Sequence, residues 1–183
     1  MKPDLQRLPQ PWMTEGPAAR VMRALAAEGD QARFVGGCVR DALVGRTIRD
    51  IDIATPLSPQ RVTELLHKAG LKAVPTGIDH GTVTAVADKT GVEVTTLRRD
   101  VETDGRRAKV EFTDDWQADA ARRDLTINAL SADAGGKVHD YFGGLDDLAA
   151  RRVRFVGDPR QRIHEDYLRL LRFFRFHADY ASG

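Results

Sequence analysis

The sequence has a single cysteine, Cys38, and no apolar run long enough to cross a lipid bilayer. One thiol excludes an internal disulfide framework and a cysteine-based zinc cluster, and we expect Cys38 to be a small buried residue at a helix start. The first residues lack the charged-then-apolar pattern of a signal peptide, so the sequence predicts a cytoplasmic protein. Internal repeats and low-complexity tracts are also missing, so nothing predicts a repeat architecture.

A large excess of charge of one sign is missing as well, because the net charge is only +1. The charges are nevertheless unevenly distributed. The segment from Arg151 to Arg175 contains eight arginines and three acidic residues, whereas the chain before Arg151 contains 20 basic and 23 acidic residues. A polyanion would therefore meet a positive segment near the carboxyl end, although an ordinary solvated helix face would have the same composition.

The order of the predicted elements indicates an α/β fold of the α+β type. The chain has 183 residues, 42% of them hydrophobic, which suits one globular domain with a short appendage. Strands and helices are expected without a regular βαβ alternation, which favours a mixed or antiparallel sheet flanked by helices. The expected divisions are an arm without regular structure at 1–16, the main domain at 17–157 and an all-helical segment at 158–183.

Local patterns predict the individual elements. Helices are expected at 17–28, 39–44, 58–69, 118–123 and 158–177, the last with a break near Ile163. Strands are expected at 33–36, 50–53, 83–87 and 92–97, and the last two form a hairpin through 88–91. Residues 126–132 fit either a helix or a strand, and 100–109 are expected to form a mobile loop. The core stripe of the last helix is expected to comprise Tyr167, Leu170, Leu171, Phe174 and Ala178.

The sharpest chemical signal is the run Asp50-Ile51-Asp52. Residues two apart on a strand project to the same face, so both carboxylates would share one site while the isoleucines face the core. Adjacent carboxylates repel each other and lose hydration, which a hard divalent cation such as Mg²⁺ offsets. Alternating acids on an exposed strand would give the same pattern. Glu93, on another predicted strand, is either a third acid of this site or an exposed strand residue.

Two glycines, Gly36 and Gly37, end the strand that precedes this acid pair. Glycine permits close approach of the backbone to a ligand. The helix that follows directs free N–H groups at an anion, and Arg40 in its first turn adds donors for a phosphate oxygen. A double glycine before a helix is by itself an ordinary tight turn. Together with two strand carboxylates, the glycines and the arginine indicate a site for phosphate and metal.

These residues belong to the run VGGCVRDALVGRTIRDIDIAT, which resembles the signature of the polymerase-β-like nucleotidyltransferases. The branch that it resembles contains the class II CCA-adding enzymes and the bacterial poly(A) polymerases. Further motifs of that branch follow in order, namely HGTVTAV, EVTTLRRDVETDGRRAKVEFT, DAARRDLTINALSAD, DYFGGLDDL and IHEDYLRLLRFFRF. The resemblance extends from Arg33 to Phe176 and implies a nucleotidyltransferase head followed by the start of a helical neck.

The resemblance implies roles for the matched residues. Asp50 and Asp52 correspond to the catalytic pair that binds metal, and Gly37 and Arg40 correspond to positions that contact the triphosphate. Arg123 corresponds to an arginine associated with nucleotide binding. Its neighbours are interpreted as structural or sugar-positioning, namely Arg122, Asp124 and Asn128. The charged stretch 100–107 corresponds to a flexible motif that helps to orient the incoming nucleotide.

The motif EDYLR at 165–169 resembles the one in which protein side chains select the incoming base. Asp166 and Arg169 would share a helix face. The carboxylate would accept from the amino group of cytosine or adenine, and the guanidinium would donate to the adjacent ring nitrogen. Uracil and guanine have a carbonyl in place of the amino group and an N–H in place of the ring acceptor, so both contacts would become repulsive. Without the resemblance, an ordinary intrahelical ion pair would be the preferred interpretation. Arg172 and Arg175 match further nucleotide-contacting positions.

The resemblance thus implies an enzyme that adds C and A to the 3′ end of tRNA from CTP and ATP, with Mg²⁺ as cofactor and release of pyrophosphate. Addition of CC or A alone, a poly(A) polymerase, and a non-catalytic nucleotide- or RNA-binding module remain alternatives. No membrane or protein partner is implied. The sequence ends soon after the base-selecting motif, whereas these enzymes continue into helices that hold the tRNA. We therefore expect nucleotide binding with weak or absent tRNA addition.

Overall fold

The fold is built on one seven-stranded mixed sheet and a separate two-stranded ribbon. The computed structural model describes residues 10–27, 29, 32–104 and 107–181, with side chains except at 79 and 101–110. The strands are β1 (Arg33–Val35), β2 (Asp52–Thr55), β3 (Lys72–Gly77), β4 (Thr82–Ala87), β5 (Thr90–Thr96), β6 (Arg98–Asp104), β7 (Arg107–Phe112), β8 (Ser131–Ala132) and β9 (Val138–His139). The sheet order is β3-β4-β5-β2-β1-β8-β9, and β2 and β5 pair in parallel. The other neighbours are antiparallel, which confirms the predicted mixed sheet.

Helices cover the sheet and follow it at the carboxyl end. They are α1 (Pro11–Thr14), α2 (Gly16–Ala26), α3 (Gly37–Leu43), α4 (Pro59–Lys68), α5 (Trp116–Ala121), α6 (Gly144–Ala149), α7 (Pro159–Glu165) and α8 (Leu168–Tyr180). Helices α2 and α4 pack together against β4 and β5. The core between them and the sheet includes Phe34, Ile53, Val83 and Val94. Among the described helices, none is long and apolar enough to cross a membrane.

Several local predictions are confirmed. The hydroxyl of Ser58 accepts a hydrogen bond from the Arg61 amide, so it caps α4 as expected. A two-residue turn joins β4 and β5, and its residues Asp88 and Lys89 have φ values of 50° and 65°. Such positive φ values at both central positions suit the twist of a hairpin. Cys38 is buried in the first turn of α3, and this burial raises the pKa of its thiol to about 11.

The mobile loop predicted at 100–109 is wrong, because most of this stretch lies in the ribbon formed by β6 and β7. A two-stranded ribbon outside the main sheet need not bury one face, so its strands need not alternate apolar and polar residues. Charge pairing takes the place of that alternation at one position. Arg99 lies opposite Glu111, and their side chains form an ion pair of 2.6 Å.

The last helical segment differs from its prediction in two ways. The break lies at Asp166 rather than near Ile163, because Asp166 has an extended backbone between α7 and α8. The predicted stripe is exposed, with Leu171 67% and Phe174 62% accessible. Helix α8 instead packs on the head through the face that carries Phe173, Phe176 and Tyr180. The helical period was therefore right and the buried face was wrong.

The predicted arm without regular structure at 1–16 is also wrong where it is described, since Pro11–Thr14 form α1. Residues 1–9 lie outside the described part. Met13 is buried in the core, and the ring of Trp12 meets that of Phe34 edge-on with centroids 4.8 Å apart. Burial of these two apolar side chains attaches the segment to the sheet.

Candidate nucleotide-binding site

Three chain segments meet at one edge of the sheet. Strand β1 ends at Val35, which lies opposite Asp52 at the start of β2. Val35 also lies opposite Ser131 at the start of β8, and the amide of Gly36 donates to the Leu130 carbonyl over 3.0 Å. Antiparallel pairing places the end of one strand beside the start of its neighbour. The glycine turn after β1 therefore lies next to the first carboxylate of β2.

Gly36 is the position in this turn that requires glycine. Its φ of 71° and ψ of −125° are rarely adopted by residues with a side chain. A Cβ atom there would lie 3.1 Å from Nη1 of Arg123. The glycine therefore allows the Arg123 guanidinium to lie against the backbone at the start of α3.

This edge of the sheet forms the floor of an open cavity of about 800 Å³. All nine residues predicted to form the site line it, namely Gly37, Arg40, Asp50, Asp52, Arg123, Asp166, Arg169, Arg172 and Arg175. The remaining lining residues are Gly36, Asp124, Asn128, Leu168 and Phe176. The head contributes the acid pair, Asp124 and two arginines, and α8 with the break before it contributes the other charged groups. We call this space the nucleotide cavity.

The acid pair lies at the start of β2. Asp52 is its first residue, whereas Asp50 precedes the strand and is exposed, so only one carboxylate is carried by the strand itself. Burial raises the pKa of Asp52 above its usual value, the charges of Glu93 and Asp50 raise it further, and Arg123 lowers it. The two carboxylates thus lie in a region of excess negative charge, which a cation would offset.

Glu93 lies beside this pair, because it is the register partner of Asp52 on the parallel strand β5. Within the described part of the chain, no three acidic, histidine or cysteine side chains are grouped to hold a metal ion. The role of Glu93 as a third acid of this site stays a prediction. The charge of Glu93 contributes to the raised pKa of Asp52.

Arg40 is held in place by two hydrogen-bonding partners and two aromatic rings. Its Nε and Nη2 atoms donate to the two carboxylate oxygens of Asp41, each over 3.0 Å, and its Nη1 donates to the side-chain oxygen of Asn128. The guanidinium also lies over the rings of Phe176 and Tyr180, 4.9 and 4.6 Å from their centroids. Arg40 is only 8% exposed, so its position is set by the fold before any ligand binds.

Arg123 is positioned by a buried carboxylate that the sequence analysis did not single out. Asp119 is 4% exposed and accepts from Nη2 of Arg123 over 3.3 Å and from Nε and Nη2 of Arg122 over 3.0 and 2.9 Å. It also accepts from the backbone amide of Arg98 at the start of β6. The spacing of three and four residues from Asp119 to the two arginines was the available sequence signal.

The arginines of α8 have partners of different kinds. Arg169 forms an ion pair with Glu165, and Nε of Arg172 donates to Asp124 over 2.6 Å. Asp124 in turn accepts from Asn128 over 3.1 Å. The guanidinium of Arg175 lies 5.0 Å from the ring centroid of Phe176. The prediction that Asp124 and Asn128 are structural or sugar-positioning agrees with their place in this network, and their roles remain predictions.

The predicted shared helix face of Asp166 and Arg169 is wrong, because Asp166 is not helical. Its backbone is extended, and one carboxylate oxygen accepts from the amide of Leu168 over 3.0 Å, which caps the start of α8. A carboxylate offers about four acceptor positions, so this cap leaves others free for a ligand. Both side chains still line the nucleotide cavity.

The fold and these motifs match known proteins. The model of the poly A polymerase head domain matches residues 32–154. The chain belongs to this family. Mitochondrial CCA tRNA nucleotidyltransferase 1 of Mus musculus is 48% identical over 177 residues, which are 96% of this chain and 40% of that protein. The CCA-adding enzyme of Bacillus licheniformis is 44% identical over 161 residues, 87% of this chain and 40% of that enzyme.

Solved structures of the family agree with the fold. The Bacillus stearothermophilus CCA-adding enzyme in complex with CTP gives a TM-score of 0.78 and 37% identity, covering 96% of this chain and 39% of that one. A tRNA nucleotidyltransferase complexed with a primer tRNA and an incoming ATP analogue gives 0.70 and 31%, covering 85% and 44%. The chain thus spans about 40% of the length of the curated relatives to which it is similar. The polymerase-β-like head predicted from the motifs is confirmed at the level of the family.

The buried carboxylates of this chain are expected to make the fold less stable in acid. Burial alone would raise the pKa of Asp119, but Arg122 and Arg123 outweigh it and hold the pKa below its usual value. A carboxyl whose pKa is lowered by folding stabilises the fold above its unfolded-state pKa, about 4, and this stability is lost as the pH falls through the folded-state pKa. The pKa values of Asp124 and Asp147 are lowered as well.

We therefore expect the free energy of unfolding, measured by urea titration, to decrease as the pH is lowered from about 5. An Asp119→Asn variant should be less stable at neutral pH and should show a smaller decrease over the same range, because it lacks one of the groups that take up a proton. A variant that keeps the wild-type pH dependence would contradict the assignment of this stability to Asp119.

Proposed function

We propose that this chain is the catalytic head of a CCA-adding tRNA nucleotidyltransferase, which transfers CMP and AMP from CTP and ATP to the 3′-hydroxyl of tRNA and releases pyrophosphate. One observation carries the proposal: an acid pair, a glycine turn and five arginines from distant parts of the sequence line a single cavity. Such a site suits a nucleoside triphosphate, because arginines pair with phosphate oxygens and the acids accommodate a metal. The names of the relatives support the choice of substrates.

Mg²⁺ is the metal that we propose for Asp50 and Asp52. Their carboxylates fit it, because Mg²⁺ is commonly bound by one or two carboxylates and keeps waters and substrate phosphates as its other ligands. A third protein ligand is therefore not needed. When bound, the metal would supply Lewis-acid stabilisation of the phosphate charge and activate the attacking hydroxyl. The raised pKa of Asp52 and the neighbouring charge of Glu93 support a cation at this place.

The arginines are proposed to hold the triphosphate and the nucleoside in one orientation. Arg40 and Arg123 belong to the rigid head and are fixed by Asp41 and Asp119. Guanidinium groups held in this way need little reorganisation when the phosphates bind, and such preorganised charge is the main contribution of a protein to phosphoryl transfer. Catalysis by this site would therefore rest on positioning and electrostatics.

A second cavity of about 590 Å³ supports a two-substrate reaction, because it shares Asp50 and Asp52 with the nucleotide cavity. Its other polar lining residues include Glu15, Arg49 and Glu93, and Trp12 contributes an aromatic face. The acid pair thus lies between two spaces. We assign one to the incoming nucleotide and the other to the 3′ end of the RNA, so that the attacking hydroxyl and the phosphate meet at the carboxylates.

A poly(A) polymerase is the second candidate, because the matched family model carries that name. The two functions differ in the use of CTP.

The division into a head at 17–157 and the start of a helical neck at 158–183 stays a proposal, supported by the helices α7 and α8 that follow Gly157. A cytoplasmic location likewise stays a prediction, since the mouse, human and zebrafish relatives are named mitochondrial.

Asp166 and Arg169 are proposed to select the base, and calorimetry with Mg²⁺ and each of CTP, ATP, UTP and GTP tests this. We expect CTP and ATP to bind more tightly than UTP and GTP. An Asp166→Ala variant should lose about 1–3 kcal/mol of this preference, the value of a good bidentate base contact. Asp179→Ala is the matched control, because it removes an exposed carboxylate of α8, the helix that follows Asp166, outside the cavity. Equal binding of all four nucleotides by the wild-type chain would contradict the proposal.

A further inference from the structure

Besides its apolar packing, helix α8 is attached to the head by hydrogen bonds near its middle and at its carboxyl end, where Arg46 also donates to the carbonyl of Asp179. Near its middle, Arg172 donates to Asp124 over 2.6 Å. At its carboxyl end, the hydroxyl of Tyr180 donates to Oδ1 of Asp41 in α3. The two attachment residues lie eight positions apart, which is about 12 Å along the helix axis. A helix held at one point can pivot there, whereas two attachments at this distance also fix its angle.

The two attachments are parts of one continuous hydrogen-bond chain. Within the head, Asp124 accepts from the side-chain nitrogen Nδ2 of Asn128 over 3.1 Å, and the side-chain oxygen of Asn128 accepts from Arg40. Arg40 then donates to both oxygens of Asp41. The chain therefore runs from Arg172 through the head to Tyr180 and begins and ends on the same helix. Its middle members line the nucleotide cavity, whereas Asp41 and Tyr180 do not.

Tyr180 is suited to act through its hydroxyl in this chain. Burial raises the pKa of the phenol and its hydrogen bond to Asp41 raises it further, so the hydroxyl keeps the proton that it donates. The ring makes separate contacts, because the guanidinium groups of Arg40 and Arg46 lie 4.6 and 4.1 Å from its centroid. These ring contacts would remain if only the oxygen were removed. The contribution of the hydroxyl can thus be separated from that of packing.

We infer that Asp41 and Tyr180 are positioning residues for base selection, which set the angle of α8 on the head and thereby the place of Arg169 in the nucleotide cavity. The inference rests on the proposed function of that cavity. Neither residue lines the space where the base would bind. Arg172 lies between Arg169, three residues before it, and Tyr180, eight residues after it. Rotation of α8 about Arg172 would therefore displace the guanidinium of Arg169. Discrimination depends on the direction of two hydrogen bonds and would weaken with such a displacement.

The test compares Tyr180→Phe with Tyr141→Phe. Tyr141 is a matched control, because its hydroxyl also takes part in a hydrogen bond, accepting from Arg33 over 3.1 Å, and it lies on the head away from α8. We expect the ratio of the UTP and CTP dissociation constants, measured with Mg²⁺, to fall by about three- to tenfold in Tyr180→Phe, as for members of one hydrogen-bond network. The ratio should stay at the wild-type value in Tyr141→Phe.

Hydrogen exchange gives a readout that does not depend on nucleotides. Amides of α8 should exchange faster in Tyr180→Phe than in the wild type or in Tyr141→Phe, whereas those of β4 and β5 should not change. A double variant Tyr180→Phe/Asp41→Ala should be no less selective than Asp41→Ala alone, because each change removes one partner of the same hydrogen bond.

The outcomes separate the two proposals. A wild-type chain that binds CTP and UTP equally would overturn the proposed function and this inference with it. A selective wild type whose Tyr180→Phe variant keeps the same ratio would overturn the inference alone. Unchanged exchange of α8 in Tyr180→Phe would also overturn it, because the hydroxyl would then not hold the helix.

Discussion

An Asp52→Asn variant is expected to lose nucleotidyl transfer by at least about a thousandfold, the effect of removing several kcal/mol of transition-state stabilisation. The amide keeps the size of the side chain but removes one negative charge and one anionic oxygen from the acid pair. Asp52 is half-buried at the start of β2 and lies between Asp50, Glu93 and Arg123.

Two measurements check this expectation. The first is release of pyrophosphate from CTP with Mg²⁺ and a tRNA that lacks its terminal nucleotides, at an enzyme concentration high enough to detect the weak addition expected of this chain. The second is the gain in CTP affinity on addition of Mg²⁺, which requires only the nucleotide cavity and should disappear in the variant. Asp88→Asn is the matched control, because Asp88 is exposed in a hairpin turn with a φ of 50°, a conformation that asparagine adopts readily. Transfer and Mg²⁺ dependence at wild-type levels in Asp52→Asn would remove the acid pair from the mechanism.

A Gly144→Ala variant is expected to destabilise the fold by about 3 kcal/mol, which is the upper range for overpacking a core. A Cβ atom at Gly144 would lie 2.3 Å from the carbonyl oxygen of Thr126 and 2.9 Å from its carbonyl carbon. Both are backbone atoms in a segment that cannot move freely. The Thr126 amide donates to the Arg154 carbonyl over 2.9 Å, and its hydroxyl donates to the buried Asp147 over 2.6 Å.

Thermal unfolding measures this effect. For a chain of this size, about 3 kcal/mol corresponds to a decrease in Tm of about 6–12 °C. Gly135→Ala is the control, because an added Cβ there would meet only the side chain of Asp133 at 3.3 Å and no backbone atom within 4 Å. A Gly144→Ala variant as stable as Gly135→Ala would show that α6 is not packed tightly against the turn at Thr126–Asn128. Nucleotide affinity should fall in parallel, because Asn128 in that turn lines the nucleotide cavity.

The sequence by itself determined the elements whose signals are local. A serine followed by a proline begins α4, and two residues with positive φ join β4 and β5, because caps and turns depend on the conformations of a few adjacent residues. The motifs likewise identified the family and nine residues that all line one cavity. Their roles in binding and catalysis remain predictions, since position in a cavity does not establish contact with a ligand.

Only the tertiary structure decided which surfaces and charges meet. The helical periodicity of α8 could be read from the sequence. The face that the helix buries depends instead on where the head lies, and in particular on Phe155. Phe173 rather than Phe174 stacks on the ring of Phe155. The ribbon of β6 and β7 lacks the apolar alternation that marks a half-buried strand. Both predictions failed because burial is a property of the neighbours of a segment.

The hydrogen-bond chain around the nucleotide cavity likewise depends on tertiary contacts. Asp124 and Arg172 are 48 positions apart, and Asp41 and Tyr180 are 139 apart. No local pattern connects such residues, because their contact follows from the pairing of β1 with β2 and β8 and from the docking of α8. The sequence therefore determined the chemical groups of the site, and the packing of sheet and helix determined their partners, since an ion pair requires proximity in space and not in sequence.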